Sequence, residues 1–229
     1  MKRLAIGMHG FTLVELLCVV AIISILIALG FSGYQSLRIA SMQAGGISNL
    51  RQLHVMFVQY SNDNDGNLPL GGGDTSGTGR NDLSWVNRLL PYAGRPDLAE
   101  VNLNDMWWQP PSPVFKDPGV DLPGEHLLLE GNTQDAMWGF GYNIQPLLPD
   151  SDIRNAAWGG QPPPVFKLST ITKPSSRMLV ASAYKWFMNQ WVGNRAYNRY
   201  GKDRALCLFF DGHVSTVTQT EYDKAWLDP

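Results

Sequence analysis

The sequence predicts an α+β protein: a long N-terminal α-helix, its first half membrane-spanning, whose second half packs on a small antiparallel β-sheet with long loops. Three observations predict it. No charged side chain stands between Glu15 and Arg38, and those 22 uncharged residues in a helix rise roughly 33 Å, about the thickness of a bilayer's hydrocarbon core. Further on, Ile47, Leu50, Leu53, Phe57 and Tyr60 recur at threes and fours, the apolar stripe of a helix lying on a partner surface. Near the C-terminus, Asp211-Gly212 separates two strand-like runs, a strong short-range hairpin signal.

The N-terminal segment repays close reading. Lys2, Arg3 and His9 form a short basic leader, which the positive-inside rule keeps cytoplasmic while the C-terminal mass crosses. Glu15 then spoils a plain anchor, because inserting a carboxylate at the edge of an apolar helix costs on the order of 1 to 3 kcal/mol. In the bland reading Glu15 sits among the lipid headgroups. In the functional one, a cut between Gly10 and Phe11 creates an amine four residues from Glu15, on the same side of a helix. Ala28-Leu29-Gly30 also offers the small residues of an ordinary secretory cleavage site. The two readings differ in the mature N-terminus, Phe11 or Phe31.

Composition agrees with an exported protein on one anchor. The part of the 229-residue chain beyond the anchor is long enough for a domain with its own core. The resulting division is a leader over 1–10, a transmembrane helix over 11–35 and an exported head over 36–229. A formal net charge of -2, with no basic patch, argues against a nucleic-acid partner. Cys18 lies in the membrane run and Cys207 in a predicted strand, so no intramolecular disulfide is expected.

The helix is expected to run on to about Asn62, with a bend or local melting near Gly30, Gly33 or Gly45-Gly46, where glycine lowers helix propensity by about 1 kcal/mol each. Residues 61–67 (SNDNDGN) and Pro69 then stop it. Asp63, Asp65 and Gly66 look like the first half of a calcium loop, but the bidentate Glu that would complete it is missing. His54 on this segment reads as a surface or boundary residue. A Gly/Ser/Thr loop follows over 71–79, then a cap signal in Asn81-Asp82-Leu83-Ser84 and a short helix carrying Trp85, Val86, Leu89 and Leu90, ended by Pro91.

Between 97 and 164 only 126–130 and 137–142 look strand-like, among many Pro and Gly and four tryptophans, Trp107, Trp108, Trp138 and Trp158. Those rings either pin loops to the core or form exposed platforms for sugars or peptides. The last third holds a buried strand over 177–184, the hairpin strands 205–210 and 213–218 around an expected type I′ Asp211-Gly212 turn, and a short helix over 221–227 with Tyr222 and Trp226 one turn apart.

Gly10-Phe11-Thr12-Leu13-Val14-Glu15-Leu16 resembles the cleavage and methylation motif of type IV prepilins and type II secretion pseudopilins. The resemblance implies a pilin-like fold and a prepilin peptidase that cuts between Gly10 and Phe11 and N-methylates Phe11. It also implies that Glu15 pairs with the N-terminal amine of a neighbouring subunit during assembly. Other pilin or pseudopilin subunits, a secretion or pilus assembly platform and the inner membrane are the implied partners; no cofactor or metal is.

The tail is similar to that of a pilin-like group ending in His, nine residues and Asp-Gly. Arg199-Tyr200 and Leu208-Phe209-Phe210-Asp211-Gly212-His213-Val214 carry this likeness, with weaker support from 49–53, 60–69, 85–92 and 141–143. Two departures stand out. Tyr200 occupies the His position with ten residues before Asp211, and Asp117-Pro118 stands where the group often has Cys-Pro. No metal or acid-base role is carried over, and Asp211 and Gly212 read as turn chemistry.

No Gly-x-Ser-x-Gly elbow, His-Glu-x-x-His helix, phosphate-binding loop or paired zinc ligands occur in the sequence. The expected protein is a non-enzymatic pseudopilin-like subunit, single-pass with its N-terminus cytoplasmic and its head periplasmic or extracellular, incorporated into a secretion pseudopilus or pilus-like filament. The alternatives are an anchored binding module for a glycan or peptide that never polymerises, and an anchored exported enzyme.

Overall fold

A computed structural model of the chain describes residues 11–69, 84–101, 110–121, 138–143, 167–184, 187–188, 196 and 198–227. The leader with Gly10 and His9, the 71–79 loop, Trp107, Trp108 and Trp158, the strand expected at 126–130 and the side chain of Trp226 lie outside the described residues. The chain divides into two compact units, Met1–Arg38 and Ile39–Pro229.

Helix α1 spans Leu13–Asp63 without a break. In the first unit its described large apolar side chains, Leu13 to Ile27, are exposed in every direction around the axis. In the second unit burial is confined to one stripe, with Leu50, Leu53, Phe57 and Tyr60 in the core and Arg51, Gln52 and Val55 exposed, as the sequence pattern requires. The interruption expected at Gly45-Gly46 is absent. A Cβ on Gly46 would stand 2.6 Å from Leu206 Cδ1 and 2.7 Å from the Tyr200 hydroxyl. Glycine is there for close approach rather than for bending.

The helix ends where the sequence predicts. Asp65 (φ 55°) and Gly66 (φ 82°) take left-handed conformations, and the Gly66 amide donates to the Ser61 carbonyl at 2.8 Å, the six-to-one bond that closes many helix C-termini. Helix α2, Trp85–Leu89, starts on Ser84, whose hydroxyl accepts from the Asn87 amide at 3.3 Å and donates to Asn87 Oδ1 at 2.6 Å. Its Trp85 lies between Phe57 and Phe115, with Tyr142 beside it, in an aromatic cluster at the centre of the core.

Five strands form the sheet: β1 Phe140–Asn143, β2 Met178–Ser182, β3 Phe187–Met188, β4 Ala205–Phe209 and β5 Val214–Val217, in the order β3-β1-β2-β4-β5. Four of them are antiparallel neighbours, as expected, whereas β3 adds a parallel edge beside β1. Two residues are too few to leave a periodic signal in the sequence.

Both faces of the sheet are covered. Leu206 and Leu208 of β4 point to the core shared with α1 and α2, while Ala205, Cys207 and Phe209 join Tyr222 on the other face. Tyr222 belongs to helix α3, Gln219–Leu227, and its hydroxyl donates to the Ser182 carbonyl at 3.0 Å. Two-sided burial explains why β2 reads as a continuous apolar run instead of an alternating one.

The β4–β5 connection corrects one expectation. Only Gly212 has positive φ (89°), the Phe209 amide donates to the His213 carbonyl at 3.0 Å, and the Gly212 amide donates to the Phe209 carbonyl at 2.9 Å. The loop therefore has three residues, Phe210-Asp211-Gly212, with a left-handed glycine last, and is not a two-residue type I′ turn. The Phe210 and Asp211 amides explain the difference, since they leave the ladder and donate to the Arg177 and Pro174 carbonyls at 3.0 and 3.3 Å.

Candidate functional site

Two places carry the residues singled out in the sequence. The first is the start of α1. Thr12 precedes the helix, and its amide and hydroxyl both donate to Glu15 Oε2, at 2.9 and 2.8 Å. The Glu15 amide donates back to Thr12 Oγ1 at 3.2 Å. This reciprocal pair is a capping box, in which two amides that would otherwise be orphaned at a helix start find partners. The Thr-x-x-Glu spacing was the signal for it in the sequence, and it recurs at Thr218 and Glu221, where the same three bonds start α3.

Phe11 is 79% exposed, and exposed Leu, Ile and Val follow it on all sides of the helix. A helix that is apolar all round belongs in lipid or in the interior of a larger assembly. Among the described residues no helix is long and apolar enough to cross a membrane. The side chains of 28–32 are not among those described, and the sequence there, Ala28-Leu29-Gly30-Phe31-Ser32, continues the uncharged run.

The second place is the pair of departures, Asp117 and Tyr200, which the fold brings into contact. Asp117 sits between two single-turn 3-10 helices, Pro113–Phe115 and Pro118–Asp121. Its Oδ2 accepts from Ser182 Oγ at 2.7 Å and from Arg199 Nη1 at 3.0 Å. Its Oδ1 accepts from the Gly119 amide at 3.0 Å and from the Tyr200 hydroxyl through a short bond. The Asp117 and Arg199 side chains are 0% and 1% exposed. Arg199 completes its bonding on the Gly139 carbonyl at 2.5 Å and the Ala183 carbonyl at 3.1 Å, with the Tyr184 ring 5.4 Å from its guanidinium carbon.

Burial, then the negative charge of Asp117 and its hydrogen bond, push the Tyr200 phenol far above its usual range, so it stays a neutral donor. Glycines make room for the cluster. A side chain at Gly119 would collide with Arg199 and Tyr200, and one at Gly139, whose φ is 86°, with Val120, Arg199 and Asp117. The arrangement is saturated and closed, so what it does chemically is hold four chain segments together. Asp117 and Tyr200 were visible in the sequence as departures, whereas Ser182, Gly119 and Gly139 were not singled out; the meeting was not legible because Asp117 and Tyr200 are 83 positions apart.

The remaining candidates have ordinary partners. Asp63 accepts from the Tyr92 hydroxyl at 2.9 Å, and no group of three or more His, Cys, Asp or Glu suited to a metal occurs among the described residues. Trp138 is buried against the core at φ 56°. Gly212 rests on the imidazole of His54, where a Cβ would stand 2.6 Å from the ring. Asp211 Oδ1 lies 2.6 Å from His213 Nδ1 and accepts from the His213 amide at 3.1 Å. Burial by itself would raise the Asp211 pKa, but these bonds to His213 outweigh it and hold the carboxyl below its ordinary value.

Residues 7–31 match the family described as the Prokaryotic N-terminal methylation motif. The match covers Gly10, Phe11, Thr12 and Glu15 and the whole exposed apolar run. The motif is that of a prepilin-type cleaved precursor, consistent with a type IV pilin-like protein or pseudopilin. No curated protein and no solved structure matches the chain.

Proposed function

We propose that this chain is a pilin-like or pseudopilin structural subunit. Prepilin peptidase cuts it between Gly10 and Phe11 and methylates the Phe11 amine. The mature protein waits in the inner membrane as a single-pass protein, N-terminus cytoplasmic and head outside. It then enters a type II secretion pseudopilus or type IV pilus-like filament through packing of α1 against other subunits, on an assembly platform. The observation that carries this reading is the methylation motif at 7–31, set at the start of a helix whose described apolar side chains from Leu13 to Ile27 are exposed. A carboxylate there is costly in lipid unless it meets a positive charge, and the amine of a neighbouring Phe11 supplies one. Asp117, Tyr200, Asp211 and Gly212 have structural roles in the head under this reading.

Mass spectrometry of the mature polypeptide tests it. A chain starting at methylated Phe11 is expected, and an intact leader or a start at Phe31 would refute it. Glu15→Ala provides the second test: loss of multimers with the protein still present supports a subunit, whereas unchanged behaviour points to an anchored module that acts alone.

A further inference from the structure

We infer that the head carries a carboxylate-binding site between Tyr60, Arg88 and Tyr142, which takes a small organic acid or an acidic side chain of another protein. The site lies where α1, α2 and β1 meet. The Tyr142 ring packs on Phe57 of α1, with centroids 5.2 Å apart, and on Trp85 of α2, 5.9 Å apart. One turn further along the two helices, on the same faces, stand Tyr60 and Arg88. Arg88 Nη1 donates to the Tyr60 hydroxyl at 3.4 Å and so joins the helices at that level. Burial first, and the field of Tyr60 after it, raise the Tyr142 pKa, which keeps its hydroxyl protonated and sets it toward this pair.

These donors meet with nothing to receive them. The Tyr142 hydroxyl and Arg88 Nε are both buried without a hydrogen-bond partner among the described residues. The Tyr60 hydroxyl, having accepted from Arg88, keeps its own hydrogen to give. No carboxylate among the described residues pairs with Arg88, and Asp63 accepts from the Tyr92 hydroxyl instead. A guanidinium stays charged at any pH the protein meets, and taking its Nε out of water without an acceptor costs more than burying a neutral group. With Nη1 on Tyr60, the Nε–Nη2 edge is left to offer two parallel N–H groups, the geometry that grips a carboxylate. One arginine also balances one negative charge, which favours a carboxylate over a phosphate. Arg88 is half-buried, so the site opens to solvent on its side.

Acetate is the first probe, added to the detergent-solubilised full chain at constant ionic strength, with the melting temperature as readout. A saturable rise is expected, about 3 to 6 °C at ten times the Kd, and inorganic phosphate should give none. Tyr142→Phe removes one donor to the anion and should weaken acetate about tenfold, the scale of one hydrogen bond to a charged group. Arg88→Met should abolish the response, whereas Arg95→Met, which removes an exposed cation from the same head, should respond like the parent. A glutamate blocked at both backbone ends, N-acetyl-glutamate N-methylamide, tells the two sources apart. Binding at least as tight as that of acetate supports an acidic side chain of a partner protein, and weaker binding supports a small free acid. The absence of a saturable response to either carboxylate overturns the proposal, and so does an equal response to phosphate or one that stays undiminished in Tyr142→Phe and Arg88→Met. If Arg88→Met does not fold, Tyr142→Phe decides alone.

Discussion

Replacing Arg199 by Met is the sharpest test of how the head is held. The substitution keeps an unbranched chain of similar reach and removes the charge and every donor. Asp117 would remain with Ser182, Gly119 and Tyr200 as donors but with no counter-charge, at a site where its side chain is 0% exposed. The Gly139 and Ala183 carbonyls would lose their partner as well. Removing one member of a buried ion pair costs about 3 to 5 kcal/mol. For a unit of this size each kcal/mol moves the melting temperature by about 2 to 4 °C, so a fall of roughly 6 to 20 °C is predicted.

Thermal and urea unfolding of the detergent-solubilised protein, followed by tryptophan fluorescence, measures it. Asp117→Asn should also destabilise, and the double variant Asp117→Asn/Arg199→Met should lose less than the two singles added, by about 0.5 to 3 kcal/mol, because the singles each strand the other's group. A loss under about 1 kcal/mol for Arg199→Met, the scale of an exposed ion pair, would refute the buried clasp. Strict additivity in the cycle would mean that the two groups do not act on each other.

Four further outcomes are predicted. Gly46→Ala should lower stability by about 1 to 3 kcal/mol through overpacking on Leu206 and Tyr200, despite a gain in helix propensity, with the urea midpoint as readout. Tyr142→Phe should be neutral or stabilising in the same assay, because its buried hydroxyl has no partner among the described residues and an unsatisfied buried group costs about 1 to 3 kcal/mol. Gly212→Ala should destabilise by forcing a Cβ onto His54 at φ 89°; adding His54→Ala should recover the steric part and leave the backbone strain. The Asp211 carboxyl, and the Glu221 carboxyl through its bonds to the Thr218 amide and hydroxyl, are held below their ordinary pKa. Their contribution is therefore present above the unfolded values of about 4 and is lost as pH falls through the lower folded values. A pH series of urea midpoints should drop across that acid range, and less steeply in Glu221→Gln.

Local signals were legible in the sequence, and distant coincidences were not. The SNDNDGN stop, the Ser84 cap and the strands at 178–182, 205–209 and 214–217 rest on neighbours within a few positions, and each was expected within one or two residues of where it lies. The turn type failed because the Arg177 and Pro174 carbonyls recruit amides of the loop, and neither contact is local. Gly45 and Gly46 were read as weak points in a helix because propensity speaks of the isolated segment; packing on Pro118, Leu206 and Tyr200 decided the matter. Of the N-terminal site, the order of residues was readable in full, and the Thr12–Glu15 bonds followed from a spacing that the composition of the segment overshadowed.

The clasp itself has a physical rationale that apolar packing would not supply. A buried ion pair is often no more stable than well-packed hydrophobic residues of the same volume, so its use calls for a reason other than stability. Of the four segments it joins, the 3-10 turns at 113–121 and the turn at 198–204 lie outside the β-ladder and are tied by it to Gly139 and to Ser182 and Ala183 at the end of β2. Apolar contact holds such segments close but leaves them free to slide, since it has no direction. Four donors converging on one carboxylate, and three acceptors on one guanidinium, leave a single geometry. Cys207 is buried and Cys18 exposed, both as free thiols, so no disulfide serves this end. A head held by directional bonds at its irregular segments keeps α1 against the sheet at Gly46, where Tyr200 touches the helix and the clasp together.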